Sequence, residues 1–225
     1  RVTTKEKYHG FDDDWVLNTN KTKKYWMSRY EVTQKQYSDV MLTNPSFFKG
    51  DDLPVEQVSW FDAINFCNRL SELNGLKPCY TINGTDVSFD VAANGYRLPT
   101  DAEWEFACRA NTVTHIYSGN IQDIYNINCG IIAANLDRIG WYCANSGNKT
   151  HQVGTKEKNT FNLFDMSGNV YEWVWDWKDN TQKTEKLLRG GSWNAYAEYC
   201  KSGYKHFHFP NYTSNEFGFR LVKNY

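Results

Sequence analysis

The sequence predicts a single α+β domain with few helices, short strands and much irregular structure. Three observations support this class. Three segments start with the same helix-capping signature, five short segments rich in β-branched and aromatic residues are typical of strands, and long turn-rich connections separate them. No linker, internal repeat or low-complexity tract divides the 225 residues, and one domain of that length can bury a substantial core. We therefore expect residues 1–225 to form one domain.

Each helical segment begins with an N-cap residue whose side chain can accept a hydrogen bond from the backbone N–H three positions later. The side chain at that later position can in turn accept one from the N-cap backbone N–H. The pairs are Thr33 with Gln36, Ser59 with Asp62, and Thr100 with Glu103. The helical spacing of the second segment puts five apolar residues on one face, namely Ala63, Phe66, Cys67, Leu70 and Leu73. The third segment directs Trp104, Ala107 and Cys108 inward.

The residue composition predicts strands at residues 25–32, 80–83, 87–91, 187–193 and 217–225. Residues 111–162 carry no clear pattern. An irregular region of that length is unusual in a compact domain unless a metal, a disulfide or a functional surface organises it.

Charge and hydropathy exclude two classes of partner. The chain has 25 basic and 26 acidic residues mixed along its length, which gives a net charge of −1. That balance creates no long-range field for nucleic acid or an anionic membrane. No apolar run of about 18 residues is present, so the sequence predicts no membrane span.

Six cysteines, at positions 67, 79, 108, 129, 143 and 200, follow no CxxC pattern and no dense disulfide framework. Two pairs, Cys67 with Cys79 and Cys129 with Cys143, have separations that a disulfide could close. Free thiols that pack as small apolar residues explain the sequence equally well.

The most unusual stretch is residues 193–217, which we call the tail. It contains eight Phe, Trp or Tyr residues and no Leu, Ile, Val or Met. Protein cores are built mainly of aliphatic residues and Phe, whereas binding loops favour Tyr, Trp, Asn, Ser and Gly. The composition therefore indicates a recognition surface, and an aromatic loop packed on its own domain is the alternative.

Five segments occur in a characteristic order: "YWMSRYEVTQKQY", "LPVEQVSWFDAINFCNRLS", "GYRLPTDAEWEFACRA", "NLFDMSGNVYEWVWDW" and "LRGGSW…GFRLV". Together they resemble the formylglycine-generating enzyme family, or sulfatase-modifying-factor domain, over nearly the whole chain. The resemblance implies a C-type lectin fold of the formylglycine-generating-enzyme-like subclass.

Polar residues of the "RLPT" motif and of the third helical segment, which follows it, indicate a structural role. Arg97, Glu103 and Glu105 are long polar side chains beside bulky apolar ones. We expect them to form a buried hydrogen-bonded frame rather than a catalytic acid–base pair.

We expect the protein to require no cofactor, but the resemblance also implies calcium sites. Hard oxygen ligands of the implied kind suit calcium. Carried over by motif, the ligands would be Asp165, Gly168, Val170 and Glu172, with Asn128 in a second site. Without the resemblance, the spacing of these residues would not indicate a metal.

The enzymes of this family use two cysteines, eight and thirteen residues after the "RGGS" motif, where a thiolate pair can hold Cu(I) and activate oxygen. Counted from Ser192, those positions hold Cys200 and Lys205. The second thiol is missing, so we expect no enzymatic activity, with a formylglycine-generating-type oxidase as the alternative. His206 and His208 would share one face of a strand and could begin a metal site, but a third ligand is not evident.

Variable proteins of diversity-generating retroelements also resemble this chain. They end soon after "GFRLV" and carry a hypervariable ligand site between "GGSW" and that end. Their mutated bases are adenines, which convert Asn codons into Tyr, His, Ser or Phe codons, and the tail is rich in those residues. We therefore predict a non-catalytic, ligand-binding display protein with a hypervariable tail.

Fixed segments on both sides should hold the tail: Arg189, Gly190, Gly191 and Ser192 before it, and Gly218, Phe219 and Arg220 after it. The predicted ligand-binding residues are Trp193, Asn194, Tyr196, Tyr199, Tyr204, His206, His208, Asn211, Tyr212, Asn215 and Phe217. Trp193 could serve for contact or for packing. Phe207 and Phe209 are opposite in phase to the two histidines, so we expect them to point inward.

The expected ligand is a protein on another cell or host, because a broad aromatic face suits a flat partner. From the resemblance we expect a monomeric protein at the cell surface or outside the cell, as an outer-membrane lipoprotein whose lipid anchor lies outside this chain. A third hypothesis is a structural subunit, which would bury the tail aromatics in the domain or in an oligomer interface.

Overall fold

The computed structural model describes residues 10–11, 14–19, 24–122 and 129–225. Four α-helices occur in this part of the chain: α1 Gln34–Met41, α2 Trp60–Leu73, α3 Asp101–Arg109 and the short α4 Ala134–Asp137. Ten strands accompany them: β1 Trp15–Thr19, β2 Lys24–Ser28, β3 Tyr80–Asn83, β4 Asp86–Phe89, β5 Tyr96–Arg97, β6 Tyr171–Trp177, β7 Lys186–Arg189, β8 His206–His208, β9 Phe217–Gly218 and β10 Val222–Asn224.

The strands form three sheets. The first has the order β1-β2-β10-β5, so the C-terminal strand pairs with strands from the first half of the chain. The second is the β3-β4 hairpin, and the third has the order β8-β7-β6-β9. Because β7 precedes the tail, β8 lies within it and β9 begins at its last residue, the third sheet fixes where the tail lies.

The three predicted helices are present, and each has a complete capping box. Thr33, Ser59 and Thr100 each accept a hydrogen bond from the backbone three residues on, and the side chain at that position returns it. Val32, which precedes the N-cap of α1, and Tyr37 within the helix are both buried.

Strand prediction was less complete. β6 was not predicted as a strand because its first four residues are all buried, and a strand buried on both faces lacks the alternation that marks a strand in sequence. The predicted strand at residues 217–225 is two strands, because Phe219, Arg220 and Leu221 leave the ladder between β9 and β10.

The centre of the domain is aromatic. Trp60, Trp104 and Trp173 are all fully buried. The indole N–H of Trp60 donates to the carbonyl of Val174, and that of Trp173 donates to the carbonyl of Val58. These two bonds connect the start of α2 to the middle of β6, so burial of the rings leaves no indole donor unpaired.

A buried ion pair joins the C-terminal segment to β6. Arg220 donates from Nε and Nη2 to the two carboxylate oxygens of Glu172, at 2.7 Å each, and neither side chain is exposed. The Trp104 indole donates to the same carboxylate at 2.6 Å, and Arg220 also donates to the carbonyl of Phe164 at 2.8 Å. Both charges are thereby desolvated and fully hydrogen-bonded, the condition under which a buried ion pair is tolerated.

The region without a clear sequence pattern is largely irregular where it is described, with one short helix, α4. A disulfide between Cys129 and Cys143, one of the two candidate pairs, closes part of it. In the other candidate pair, Cys67 and Cys79 are buried free thiols, which is the alternative that the sequence left open. Within the described ranges, no helix is long and apolar enough to cross a bilayer.

We predict that Arg220→Met lowers the free energy of unfolding by roughly 3–5 kcal/mol, because it leaves the Glu172 carboxylate buried without its counter-charge. Chemical denaturation followed by tryptophan fluorescence measures the change. Lys77→Met is the matched control, since it removes one partner of an exposed ion pair with Asp90 and should cause no resolvable change. Equal stability of Arg220→Met and the native chain would contradict the prediction.

Candidate ligand-binding surface

The start of the tail is fixed by Arg189, the last residue of β7. Its side chain is fully buried and donates to the Glu105 carboxylate and to the carbonyl of Tyr204, both at 2.5 Å. Its Nε also lies 3.0 Å from a carboxylate oxygen of Asp101. One guanidinium therefore connects the end of β7, helix α3 and a residue in the middle of the tail.

Two glycines after Arg189 allow the tail to approach the core. Gly190 and Gly191 have φ values of 93° and 83°, a region that favours glycine. A Cβ atom on Gly191 would lie 2.5 Å from the sulfur of Cys200. A larger residue would therefore push the first turn of the tail, Ala197–Cys200, away from the domain.

The two ends of the tail are joined directly. The Ser192 hydroxyl donates to the carboxylate of Glu216. The indole N–H of Trp193 donates to the carbonyl of Asn215 at 2.9 Å, and the Trp193 amide donates to the carbonyl of Asn169 at 2.7 Å. The tail is thus a closed loop whose base belongs to the scaffold.

Among the predicted ligand-binding residues, exposure separates three groups. Asn194, Tyr196, Asn211 and Tyr212 are exposed; Tyr199, Tyr204, His206, His208 and Asn215 are half-buried; Trp193 and Phe217 are buried. Tyr196 and Tyr212 retain 39% and 45% of their accessible surface. The rings are therefore not sealed inside the monomer.

Trp193 and Phe217 do not lie on the surface, contrary to the contact role predicted for Phe217 and left open for Trp193. Trp193 packs edge-on against Phe48, and Phe217 packs edge-on against Tyr171 and Trp173. Both rings support the surface from below.

The inward orientation predicted for Phe207 and Phe209 is also wrong. They are exposed by 38% and 54%, whereas the histidines turn toward the domain. His206 stacks on Tyr171 at 4.8 Å and His208 stacks on Tyr212 at 3.6 Å. Side chains along β8 do alternate between the two faces, but the inward face contains the histidines, because aromatic rings there stack on their imidazoles.

Burial lowers the pKa of His206, with a smaller effect from neighbouring His208, and burial also lowers the pKa of His208. Both rings are therefore neutral at physiological pH. No set of three or more His, Cys, Asp or Glu side chains in the described ranges is arranged to hold a metal. The histidine pair acts as packing in the structure.

The residues at the family's two cysteine positions are not arranged for catalysis. Cys200 is fully buried, and burial raises the pKa of its thiol far above the usual range, which disfavours the reactive thiolate. Lys205 forms an ion pair with Asp101 at 2.6 Å. The thiol is thus buried, and the exposed Lys205 amine is engaged by a carboxylate.

The expected calcium ligands differ in their surroundings. Both oxygens of Glu172 accept hydrogen bonds, from Arg220 and Trp104. Asp165 accepts a hydrogen bond from the Gly154 amide, and its second oxygen has no hydrogen-bond partner among the described residues. Asn128 lies outside the described residues.

The acidic charge near Asp165 is balanced in another way. Burial and two neighbouring carboxylates, Asp165 and Glu172, raise the pKa of Glu31 well above its usual range. Glu31 accepts hydrogen bonds from the Asn169 side chain and the Val170 amide. These bonds, together with the nearby charge of Arg220, offset part of the negative charge in this arrangement.

The expected polar frame is present. Arg97 donates to both oxygens of Glu103, at 2.7 and 2.8 Å, and both side chains are nearly inaccessible. Glu105 accepts from Arg189 and Arg109. The bond from Arg189 to Glu105 connects α3 to the start of the tail.

Residues outside the tail complete the surface, and sequence reasoning missed them. Phe47 is 65% exposed and packs edge-on against Phe48, which contacts Trp193. On the other side, Phe61 and Trp177 line a groove together with Phe209. The tail composition drew attention to one segment, whereas the exposed aromatic at Phe47 lies in a Pro-Ser-Phe-Phe loop that has no distinctive pattern.

The fold and this surface define a class: an α+β domain of C-type lectin type, in which helices and short strands hold an irregular C-terminal loop at both ends. The chain belongs to the sulfatase-modifying factor enzyme 1-like domain family, whose model matches residues 5–225.

Three relatives show the range of this family. The chain is 35% identical to the chaperone protein LppX of Paenibacillus barcinonensis, over 89% of this chain and 80% of that protein. The structure of Treponema denticola variable protein 1 superposes with a TM-score of 0.82 at 32% identity, covering 93% of this chain and 91% of that one. The mouse formylglycine-generating enzyme is 25% identical, over 76% of this chain but only 44% of the enzyme.

We predict that acid destabilises the protein partly through His206. Because its folded-state pKa lies below the ordinary value of 6.5, the unfolded chain binds a proton first, and the free energy of unfolding decreases as the pH falls below 6.5. His206→Phe keeps the stack on Tyr171 but removes the titrating group. Urea denaturation at pH 7.5 and pH 5 should show a smaller loss for this variant, and equal losses would refute the assignment.

Proposed function

We propose that this protein is a non-catalytic ligand-binding protein whose tail surface contacts a partner and varies between copies of the gene. The observation that carries the proposal is the exposed aromatic rim, formed by Tyr196, Phe207, Phe209 and Tyr212, on a loop fixed at both ends. Tyr and Phe provide large contact areas at low entropic cost, and neighbouring Asn194 and Asn211 provide adaptable hydrogen bonds.

Variation is physically compatible with this arrangement. The scaffold contacts that hold the loop come from Arg189, Ser192, Trp193, Glu216 and Arg220. An exposed rim residue can therefore change without removing a buried hydrogen bond, and exposed substitutions shift stability by roughly ±0.5 kcal/mol. The similarity to Treponema denticola variable protein 1 supports the same interpretation.

The alternative function, an oxidase of the formylglycine-generating type, has weaker support. It needs a thiolate pair to hold copper, and the second cysteine position is occupied by Lys205. The remaining thiol, Cys200, is sealed beneath Gly191. The proposed function requires no metal or other cofactor.

The proposed partner is a protein on another cell or host, and the proposed location is the cell surface. A disulfide such as Cys129–Cys143 is typical of oxidising environments outside the cytoplasm. The name of the Paenibacillus barcinonensis relative, a chaperone, is that of a protein that binds other proteins. A lipid anchor would be attached outside the residues of this chain, and the protein would act as a monomer.

A display library tests the binding proposal. Asn194, Tyr196, Asn211 and Tyr212 are encoded by codons whose adenines are randomised, and the library is selected against a purified test protein such as lysozyme. We expect selected binders that unfold within roughly ±0.5 kcal/mol of the parent, because none of these side chains is buried. Thermal or chemical denaturation measures that difference.

A matched library supplies the control. It randomises four exposed positions remote in sequence from the tail, namely Leu42, Val91, Val113 and Ile131. If both libraries yield binders equally often, or if most tail variants fail to fold, the tail is not a specialised binding surface.

The coding DNA tests the proposed diversification. We expect a near-copy of the tail-coding segment close to the gene, with adenines at the differing bases, and a reverse transcriptase gene beside it. Sequencing the locus in several isolates should show substitutions confined to residues 193–217. A locus with neither feature would remove the retroelement from the proposal while leaving ligand binding to be judged by the libraries.

A further inference from the structure

The β3-β4 hairpin has an open strand edge beside the tail. In its sheet, β4 pairs only with β3, and no other described strand contacts its second edge. An unpaired edge presents main-chain N–H and C=O groups that can pair with another chain.

The hairpin geometry identifies which groups face outward. A two-residue turn, Gly84–Thr85, joins the strands, so Asn83 and Asp86 form the closing hydrogen-bonded pair. Hydrogen-bonded and non-hydrogen-bonded pairs alternate along an antiparallel ladder, which makes Ile82 and Val87 a non-hydrogen-bonded pair. The N–H and C=O of Val87 therefore point away from β3, and neither has a hydrogen-bond partner among the described residues.

A groove runs along this edge, with a cavity volume of about 560 Å³. Asp86, Val87 and Ser88 all line it. Successive side chains of a strand point to opposite faces, so lining by three consecutive residues places the groove at the strand edge rather than on one face of the hairpin, and Asn83 and Thr85 extend it to the hairpin turn. The tail residues Phe209, Pro210 and Asn211 supply the other lining segment, and thus the groove opens onto the proposed binding surface.

The remaining lining residues suit an extended peptide. Phe61 and Trp177 add aromatic surface, while Asp86 and Lys183 give the groove one charge of each sign. Such a groove complements a segment that carries both an acidic and a basic side chain. Its volume falls within the roughly 300–1,000 Å³ of ordinary ligand sites, which fits a short segment rather than a whole domain.

We propose that an extended segment of a protein partner adds to β4 as a third strand, pairing with the main chain of Val87 and placing side chains against Phe61, Trp177 and Phe209. The inference rests on the proposed function, because it gives the partner of the tail surface a second point of attachment. Main-chain pairing supplies affinity that does not depend on the varying tail side chains. A partner could thus keep its strand on β4 while the tail sequence changes.

The test uses short linear peptides of random sequence, selected by display on the native protein. Each selected peptide is then measured against two variants. Val87→Pro removes the outward N–H but suits an edge position, where the N–H does not serve the hairpin. Val87→Thr keeps the N–H and a β-branched side chain of similar size. We expect Val87→Pro to weaken binding at least about tenfold and Val87→Thr to leave it unchanged.

Amide hydrogen exchange on the native protein gives a readout that needs no variant. The Val87 amide should become protected only when a selected peptide is added. Equal affinity for Val87→Pro and the native chain, unchanged exchange at Val87, or the absence of any selected peptide would each overturn strand addition.

The two proposals fail separately. Binders from the tail library without any edge-dependent peptide would leave the proposed function standing and remove this inference. Edge-dependent peptides without tail-library binders would support strand addition and remove the tail as the ligand surface.

Discussion

The buried pair of Arg220 and Glu172 is the contact on which the arrangement of the tail depends. It places a guanidinium from the segment after the tail against a carboxylate of β6, in the centre of the third sheet. Separated, each charge would be buried without compensation, at a cost of several kcal/mol. Arg189 has a comparable role before the tail, where it connects β7 to Glu105 of α3. Two buried arginines thus determine the positions from which the loop starts and to which it returns.

This arrangement separates stability from recognition within one short segment. The side chains that stabilise the loop point toward the domain interior: the guanidinium of Arg189, the indole of Trp193 and the ring of Phe217. Recognition is left to the rim, where Tyr196 and Tyr212 face solvent. Cys200 also belongs to the packed base of the tail, where its thiol is buried.

Sequence patterns predicted the helices well and the orientation of the tail poorly. The capping signatures of α1, α2 and α3 are local, and each was found where expected. Alternation along β8 was also correctly inferred, but the face that turns inward was not. The usual rule, that phenylalanine is buried before histidine, fails there because Tyr171 and Tyr212 offer stacking partners to His206 and His208. Tyr171 comes from β6 and has no signal in the tail, and the stack of Tyr212 on His208 depends on how the tail folds back on itself.

The sequence by itself determined the fold class, the helix starts, the polar frame at Arg97 and the location of the candidate surface in the tail, because capping, composition and motif order act over short distances. Tertiary structure decided which side chains reach solvent, that Glu172 pairs with Arg220, and that Phe48, Phe61 and the free edge of β4 adjoin the tail. Those outcomes depend on contacts between segments that are distant in sequence, 48 residues apart for Glu172 and Arg220, and burial of one partner by another cannot be read from either segment alone.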